Sequence, residues 1–309
     1  MTESKSSPSL SFASRLFYYL ELMRPANIVT AFADILAGFA AAGGMIRLDQ
    51  ILATPVGLGW LLLSTLGLYG GGVVFNDVFD APIDAQERPE RAIPSEKISI
   101  KRAALLGTIL LVMGIFGAFI VSTVSGGLAI GIAACAIFYN EKAKQSAVWG
   151  PLFMGVCRGG NLLLGCSINL AAVAQLWFLA LIPIAYIAAI TLVSRGEVHG
   201  GDKKSGFIAL GMIVLILISE LLLALLPHYQ LIKAIPVIIL FAIAVLPPFG
   251  KAAFNPSPEY IKKAIQRGVL SLILLNSAIA AGFAGFFTGA LTLILLPASI
   301  LLAKVFAVT

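Results

Sequence analysis

Apolar runs of about twenty residues recur along almost the whole chain, and nothing else in the sequence limits its fold so strongly. They cover 26–45, 57–77, 103–122, 124–140, 149–169, 172–194, 207–227, 231–249, 268–286 and 289–307. Hydrocarbon offers peptide groups no hydrogen-bond partner, so each run must satisfy its backbone internally and is expected to be a helix. The fourth and tenth runs are short or closely joined to their neighbours, which predicts nine or ten spans. Composition points the same way: 59% of residues are hydrophobic, 12% are charged, and mean hydropathy is +0.98. A soluble domain carries about a quarter charged residues, so most of this surface must face lipid. The expected fold class is an all-α, multi-pass integral membrane protein, with 1–25 as an N-terminal segment and 26–309 as the transmembrane domain.

The net charge of +6 does not indicate nucleic acid, because the basic residues lie between the apolar runs. One set of loops holds Lys5, Arg15, Arg24, Arg88, Arg91, Lys97, Lys101, Arg102, Lys142, Lys144, Arg195, Lys203, Lys204, Lys251, Lys262, Lys263 and Arg267. The opposite loops hold only Arg47 and Lys233, which predicts a cytoplasmic N-terminus. Before the first run, Leu10, Phe12, Leu16, Phe17, Leu20 and Leu22 interleave with Arg15, Glu21 and Arg24, the pattern of an amphipathic helix on the cytoplasmic surface. No cleavable signal peptide is expected. Cys135, Cys157 and Cys166 sit in apolar runs without metal-ligand spacing and read as small hydrophobes.

Two polar segments stand out. The first, Asn76-Asp77-Val-Phe-Asp80-Ala-Pro-Ile-Asp84, places carboxylates at i, i+3 and i+7, along one face if the segment is helical. Acids so placed beside a bilayer repel one another unless cations neutralise them. Mg²⁺ suits them, because it takes oxygen ligands and shares its shell with phosphates and water. Pro82 could end or kink the helix and leave Asp84 in a loop. The arginines Arg88 and Arg91 follow, and Lys142 and Lys144 come after Tyr139-Asn140. The second segment, Ser194-Arg195-Gly-Glu197-Val-His199-Gly-Gly-Asp202-Lys203-Lys204, matches the first after a shift of 118 positions, which lays Asp84 on Asp202 and Asp77 on Arg195. A duplicated four-helix unit would turn both segments toward one cavity. Carboxylates for metal beside bases for phosphate make a diphosphate-binding set.

The first segment, with Arg88-Pro89-x-Arg91-x-Ile-Pro94-Ser95 after it, resembles the first aspartate signature of the UbiA superfamily of intramembrane prenyltransferases. The resemblance extends to Arg24-Pro25, to Tyr139 with Lys142 and Lys144, and to the glycine-rich fifth run. The stretches Leu68–Asp77, Met154–Asn161 and Ser194–Gly201 look most like the EboC-type branch. The resemblance implies a bundle around a central cavity open to lipid, in a bacterial inner (plasma) membrane. It implies Mg²⁺-dependent transfer of an isoprenyl group from its diphosphate to an unidentified acceptor. Asp77, Asp80, Asp84 and Asp202 would be the catalytic metal-binding set, and Arg88, Arg91, Lys142, Lys144, Arg195 and Lys203 would meet diphosphate. The family's second motif usually begins with an aspartate where Arg195 stands, and Glu197 could substitute in part. A cavity kept for non-catalytic binding or transport of a lipid-linked metabolite is the alternative.

Asp34, Arg158, Asn161 and Glu220 fall inside apolar runs, where ionisable groups are costly and usually face a cavity or a partner. Arg158 and Asn161 share a helix face and, with Asn27, Asn76, Tyr139 and Glu197, are candidates to line the pocket; an Asp34–Arg158 ion pair is the competing reading. The glycines read as packing surfaces, and Gly70-Gly71-Gly72 as no phosphate loop because it lies inside an apolar run. His199 lacks the further ligands that a zinc site needs.

Overall fold

A computed structural model describes residues 11–43 and 55–306; Lys5, Leu10 and Arg47 lie outside that range. Among the described residues the secondary structure is entirely helical. In chain order the helices are α1 Phe12–Met23, α2 Pro25–Ala41, α3 Pro55–Glu87, α4 Ile100–Val121, α5 Thr123–Glu141 and α6 Trp149–Cys166. They continue with α7 Leu170–Leu176, α8 Leu181–Ser194, α9 Lys203–Leu222, α10 Leu231–Phe254, α11 Pro258–Ala284, α12 Phe286–Leu293 and α13 Leu295–Val305. Among the described residues, eight helical segments are long and apolar enough to cross a membrane. The expected count of nine or ten is therefore approximate. Helix α2 has only 17 residues, and α6 carries Arg158 and Asn161 within its 18.

Helices α3 and α11 outrun their apolar stretches. Helix α3 has 33 residues, a length of about 50 Å against a hydrocarbon core of about 30 Å. Its final turns, with Asp77, Asp80 and Asp84, continue beyond the apolar run at one end of the bundle. Pro82 is accommodated inside the helix, so Asp84 stays helical rather than entering a loop.

Small residues set the helix spacing. A Cβ on Gly38 of α2 would lie 2.0 Å from the Leu162 carbonyl oxygen of α6, and one on Gly165 would lie 2.4 Å from that of Ile35. The two backbones therefore touch, which holds Asp34 against Arg158. Gly67 and Gly114 bring α3 and α4 together in the same way. One apolar cluster joins α8 to α11 around Tyr186, Phe241 and Phe249, and another joins α2 to α6 around Ile35, Phe39 and Leu164. Exposed Ile109, Val112 and Phe116 on α4, Leu215 on α9, and Ile239 and Ile243 on α10 form the outer surface. So much exposed aliphatic area is a lipid-facing surface.

Helix α1 is capped by Ser11, whose Oγ accepts from the Ser14 N–H at 3.1 Å. It leaves Phe12, Leu16, Phe17 and Leu20 exposed and turns Leu22 inward. Arg24 then adopts a left-handed conformation, φ 49° and ψ 69°, because Pro25 opens α2 and bars Arg24 from ordinary helix geometry.

Candidate active site

A cavity of about 460 Å³ runs into the bundle between α2, α3, α5, α6, α8 and α11. Its middle is apolar, with Leu68, Ile132, Val269 and Leu272 in the walls. Its mouth is charged and is built from segments far apart in sequence. Arg24 at the α1–α2 corner donates from Nη2 to Asp77 Oδ1 at 2.8 Å. Arg91, in the loop after α3, donates to Asp84 Oδ2 at 2.8 Å and stands 3.7 Å from Asp77 Oδ1. Lys144, on the short turn Ala143–Gln145 after α5, pairs with Asp80 and donates to Asn76 Oδ1 at 3.1 Å. Asn76 Nδ2 donates back to Asp80 Oδ2 at 3.0 Å. Each aspartate thus meets a cation from a different segment, and the side chains are 7–15% exposed. At that burial the pairs are screened far less than surface salt bridges. Arg88 also lines the mouth.

The floor is a second polar network. Asp34, fully buried, is ion-paired with Arg158, whose Nε stands 3.0 Å away, and accepts hydrogen bonds from Arg158 Nη2 at 3.2 Å, Asn161 Nδ2 at 3.0 Å and Asn276 Nδ2 at 2.6 Å. Thr65 Oγ1 donates to Asn161 Oδ1 at 2.6 Å, and the Arg158 guanidinium lies 5.6 Å from the centre of the Tyr69 ring. The two readings of Arg158 are therefore both realised: it is ion-paired with Asp34, and it lines the cavity with Asn161.

Asn27, Asn76, Tyr139, Arg158, Asn161 and Glu197 all line this cavity, as do Asp80, Asp84, Arg88, Arg91 and Lys144. Asp77 reaches it through its partners Arg24 and Arg91. The second polar segment divides. Glu197 turns into the cavity, whereas Arg195 donates from Nη2 to the Gln145 carbonyl at 3.1 Å and is exposed. Asp202 is the N-cap of α9, accepting from the Ser205 N–H at 2.8 Å and Oγ at 2.7 Å. Those bonds hold its carboxyl below the usual range. Arg195 and Asp202 line a separate surface pocket near Gly200 and Gly201. Lys142 is exposed beside Glu141, and Lys203 is the exposed first residue of α9. The 118-position match thus brings the two segments to the same end of the bundle, but of Arg195, Glu197 and Asp202 only Glu197 lines the shared cavity.

Arg24, Tyr69, Thr65, Asn140 and Asn276 were not among the site residues read from sequence. Asn140 Nδ2 donates to the Gly72 carbonyl at 2.9 Å, and so ties α5 to α3 beneath the mouth. For Asn276 a signal existed, an amide inside an apolar run; for Arg24 it was a charge placed directly before a proline.

A membrane helical bundle with an apolar chamber and a mouth of paired acids and bases is the kind of concave, mostly apolar site with a few convergent polar groups that small-molecule enzymes use. The family model described as "UbiA prenyltransferase family" matches residues 31–250. The chain belongs to that family and is a membrane prenyltransferase. It is 29% identical over 253 residues to a digeranylgeranylglyceryl phosphate synthase of Methanosarcina mazei, covering 73% of this chain and 84% of that protein. It is 27% identical over 294 residues to the protein of the same name from Methanococcus aeolicus, covering 86% and 98%. A solved UbiA homologue from Aeropyrum pernix K1 superposes with TM-score 0.69 at 14% identity, covering 82% of this chain and 96% of that one. One from Archaeoglobus fulgidus bound to GPP and Mg²⁺ superposes with TM-score 0.61 at 16% identity, covering 85% and 99%. These named relatives are archaeal synthases, so they support the UbiA family as a whole and not specifically an EboC-type branch in a bacterial membrane.

Proposed function

We propose that this chain transfers an isoprenyl group from its diphosphate to a hydroxyl-bearing lipid acceptor, with Mg²⁺ required. One observation carries this: three aspartates and three cations, drawn from four separate segments, meet at the mouth of one apolar chamber. Among the described residues no three acidic, histidine or cysteine side chains converge to hold an ion unaided. The oxygen-only donors Asp77, Asp80 and Asp84 suit a cation that one or two carboxylates share with phosphate oxygens and water. When bound, Mg²⁺ would supply positive charge to the departing diphosphate. Arg88, Arg91 and Lys144 meet that diphosphate and stabilise the charge it gains as the C1–O bond breaks. Leu68, Ile132, Val269 and Leu272 enclose the isoprenyl chain and keep water from the allylic cation.

The relatives named digeranylgeranylglyceryl phosphate synthases suggest an acceptor of the glyceryl phosphate ether class. The excess of Lys and Arg at the aspartate end supports a cytoplasmic mouth. The EboC-type stretches support a narrower place within the family. Non-catalytic binding or transport of a lipid-linked metabolite is the second reading, favoured by Arg195 and Asp202 lying outside the cavity. Purified protein in detergent, given geranyl diphosphate, separates the two. Mg²⁺-dependent diphosphate release that falls at least a hundredfold in Asp80→Asn supports transfer. Tight binding unaffected by EDTA, without release, supports the carrier.

A further inference from the structure

Transfer to a hydroxyl leaves one proton to be removed, and the cavity walls differ sharply in what could take it. Asp77, Asp80 and Asp84 are each held by a cation. Asp34 is saturated by Arg158, Asn161 and Asn276. On α8, the Ser194 and Thr191 hydroxyls spend their protons on the carbonyls of Thr191 and Ile187, at 2.9 and 2.8 Å. Glu197 is different. It lines the cavity from the α8–α9 loop, is half-buried, and among the described residues its carboxylate has no hydrogen-bond or ion-pair partner. Its backbone is fixed, with its N–H on the Ser194 carbonyl at 3.0 Å and the next turn closed by Gly200 N–H on Gly196. Glu87, the other cavity acid without a partner, sits exposed at the end of α3 on the aspartate side.

We propose that Glu197 is the catalytic base that takes the acceptor's hydroxyl proton. The inference rests on the transferase reading above. As the C1–O bond of the isoprenyl diphosphate breaks, its electron pair leaves with diphosphate. The acceptor oxygen forms the new C–O bond to C1, and its proton passes to the Glu197 carboxylate. The neutral carboxyl then returns the proton to water at the mouth. An unpaired carboxylate on the cavity wall can do this without disturbing the ion pairs that hold the leaving group.

The test uses the full chain with geranylgeranyl diphosphate, Mg²⁺ and geranylgeranylglyceryl phosphate, following diphosphate, geranylgeraniol and ether product together. In Glu197→Gln, ether formation should fall about a hundredfold. Diphosphate release should persist with geranylgeraniol as its product, and the donor KM should stay within about twofold. Glu197→Asp should recover part of the ether yield. Continued Mg²⁺-dependent release shows that the glutamine variant is folded. Ether formed by Glu197→Gln at the wild-type rate, or the same loss appearing in Glu87→Gln instead, overturns the assignment alone. Wild-type protein that releases no diphosphate overturns the transferase reading, and this inference with it.

Discussion

Removing Arg158 should destabilise the bundle strongly, and removing Asp34 as well should restore much of the loss. Asp34 is completely buried and receives two of its four close donor contacts from the one guanidinium. Arg158→Met keeps most of the side-chain volume but leaves a carboxylate in hydrocarbon surroundings with only Asn161 and Asn276. Breaking a buried pair on one side costs roughly 3–5 kcal/mol, since an uncompensated charge remains. At about 2 °C per kcal/mol for a chain of this size, the apparent Tm should drop by roughly 6–10 °C. In Asp34→Asn/Arg158→Met no charge remains, and the amides can still bond among themselves. The double variant should therefore lie closer to wild type than Arg158→Met alone. Thermal unfolding in one detergent at one scan rate gives the four corners of the cycle. A coupling below about 0.5 kcal/mol would refute the argument, because the two residues would then be independent despite their contact.

Two further perturbations separate local structure from chemistry. Arg24→Gly relieves a left-handed strain of about 1–2 kcal/mol while deleting the bond to Asp77, so it should cost less Tm than Arg24→Ala yet lose as much diphosphate affinity. Equal Tm values for the two would show that the corner is unstrained. Asp202 has a depressed carboxyl pKa, so its cap is complete at neutral pH and is lost as pH falls through that lowered value, below the ordinary range near 4. Asp202→Asn should flatten the acid side of a Tm-against-pH curve and leave transfer within about twofold of wild type. A large loss of diphosphate release would instead make Asp202 part of the site.

Much of the fold was legible because hydropathy is a one-dimensional property. A peptide group in lipid has a single remedy, so each apolar run had to be a helix, and the charged loops had to gather at one end. What hydropathy hides are helices that outlast their apolar stretch. The final turns of α3 and the first turns of α11 are polar helix, and Pro82 in α3 looked like a stop. Proline here gives up one backbone bond near the aqueous end, where the carbonyl it leaves can find another partner, so the helix runs on and Asp84 stays in line with Asp77.

The site was half legible for a related reason. Asp77, Asp80 and Asp84 lie on one helix, so their spacing alone put them on one face. Their partners Arg24, Arg91 and Lys144 come from a corner, a loop and a turn, and only folding brings those three together. Within the segment Ser194–Lys204, the chain order suggested that Arg195, Glu197 and Asp202 act as a group. The turn after α8 and the cap of α9 separate them, because neighbours on a tight loop face different ways. Sequence by itself determined the solvent of this protein, the number of segments to within one or two, and the acidic face. Tertiary structure decided which base meets which acid, that Asp34 closes the chamber floor with Arg158, and that of Arg195, Glu197 and Asp202 only Glu197 lines the cavity. Side-chain direction depends on packing between helices, and packing is set by contacts between residues far apart in sequence, such as Asp34 and Asn276, 242 positions apart, that no local pattern encodes.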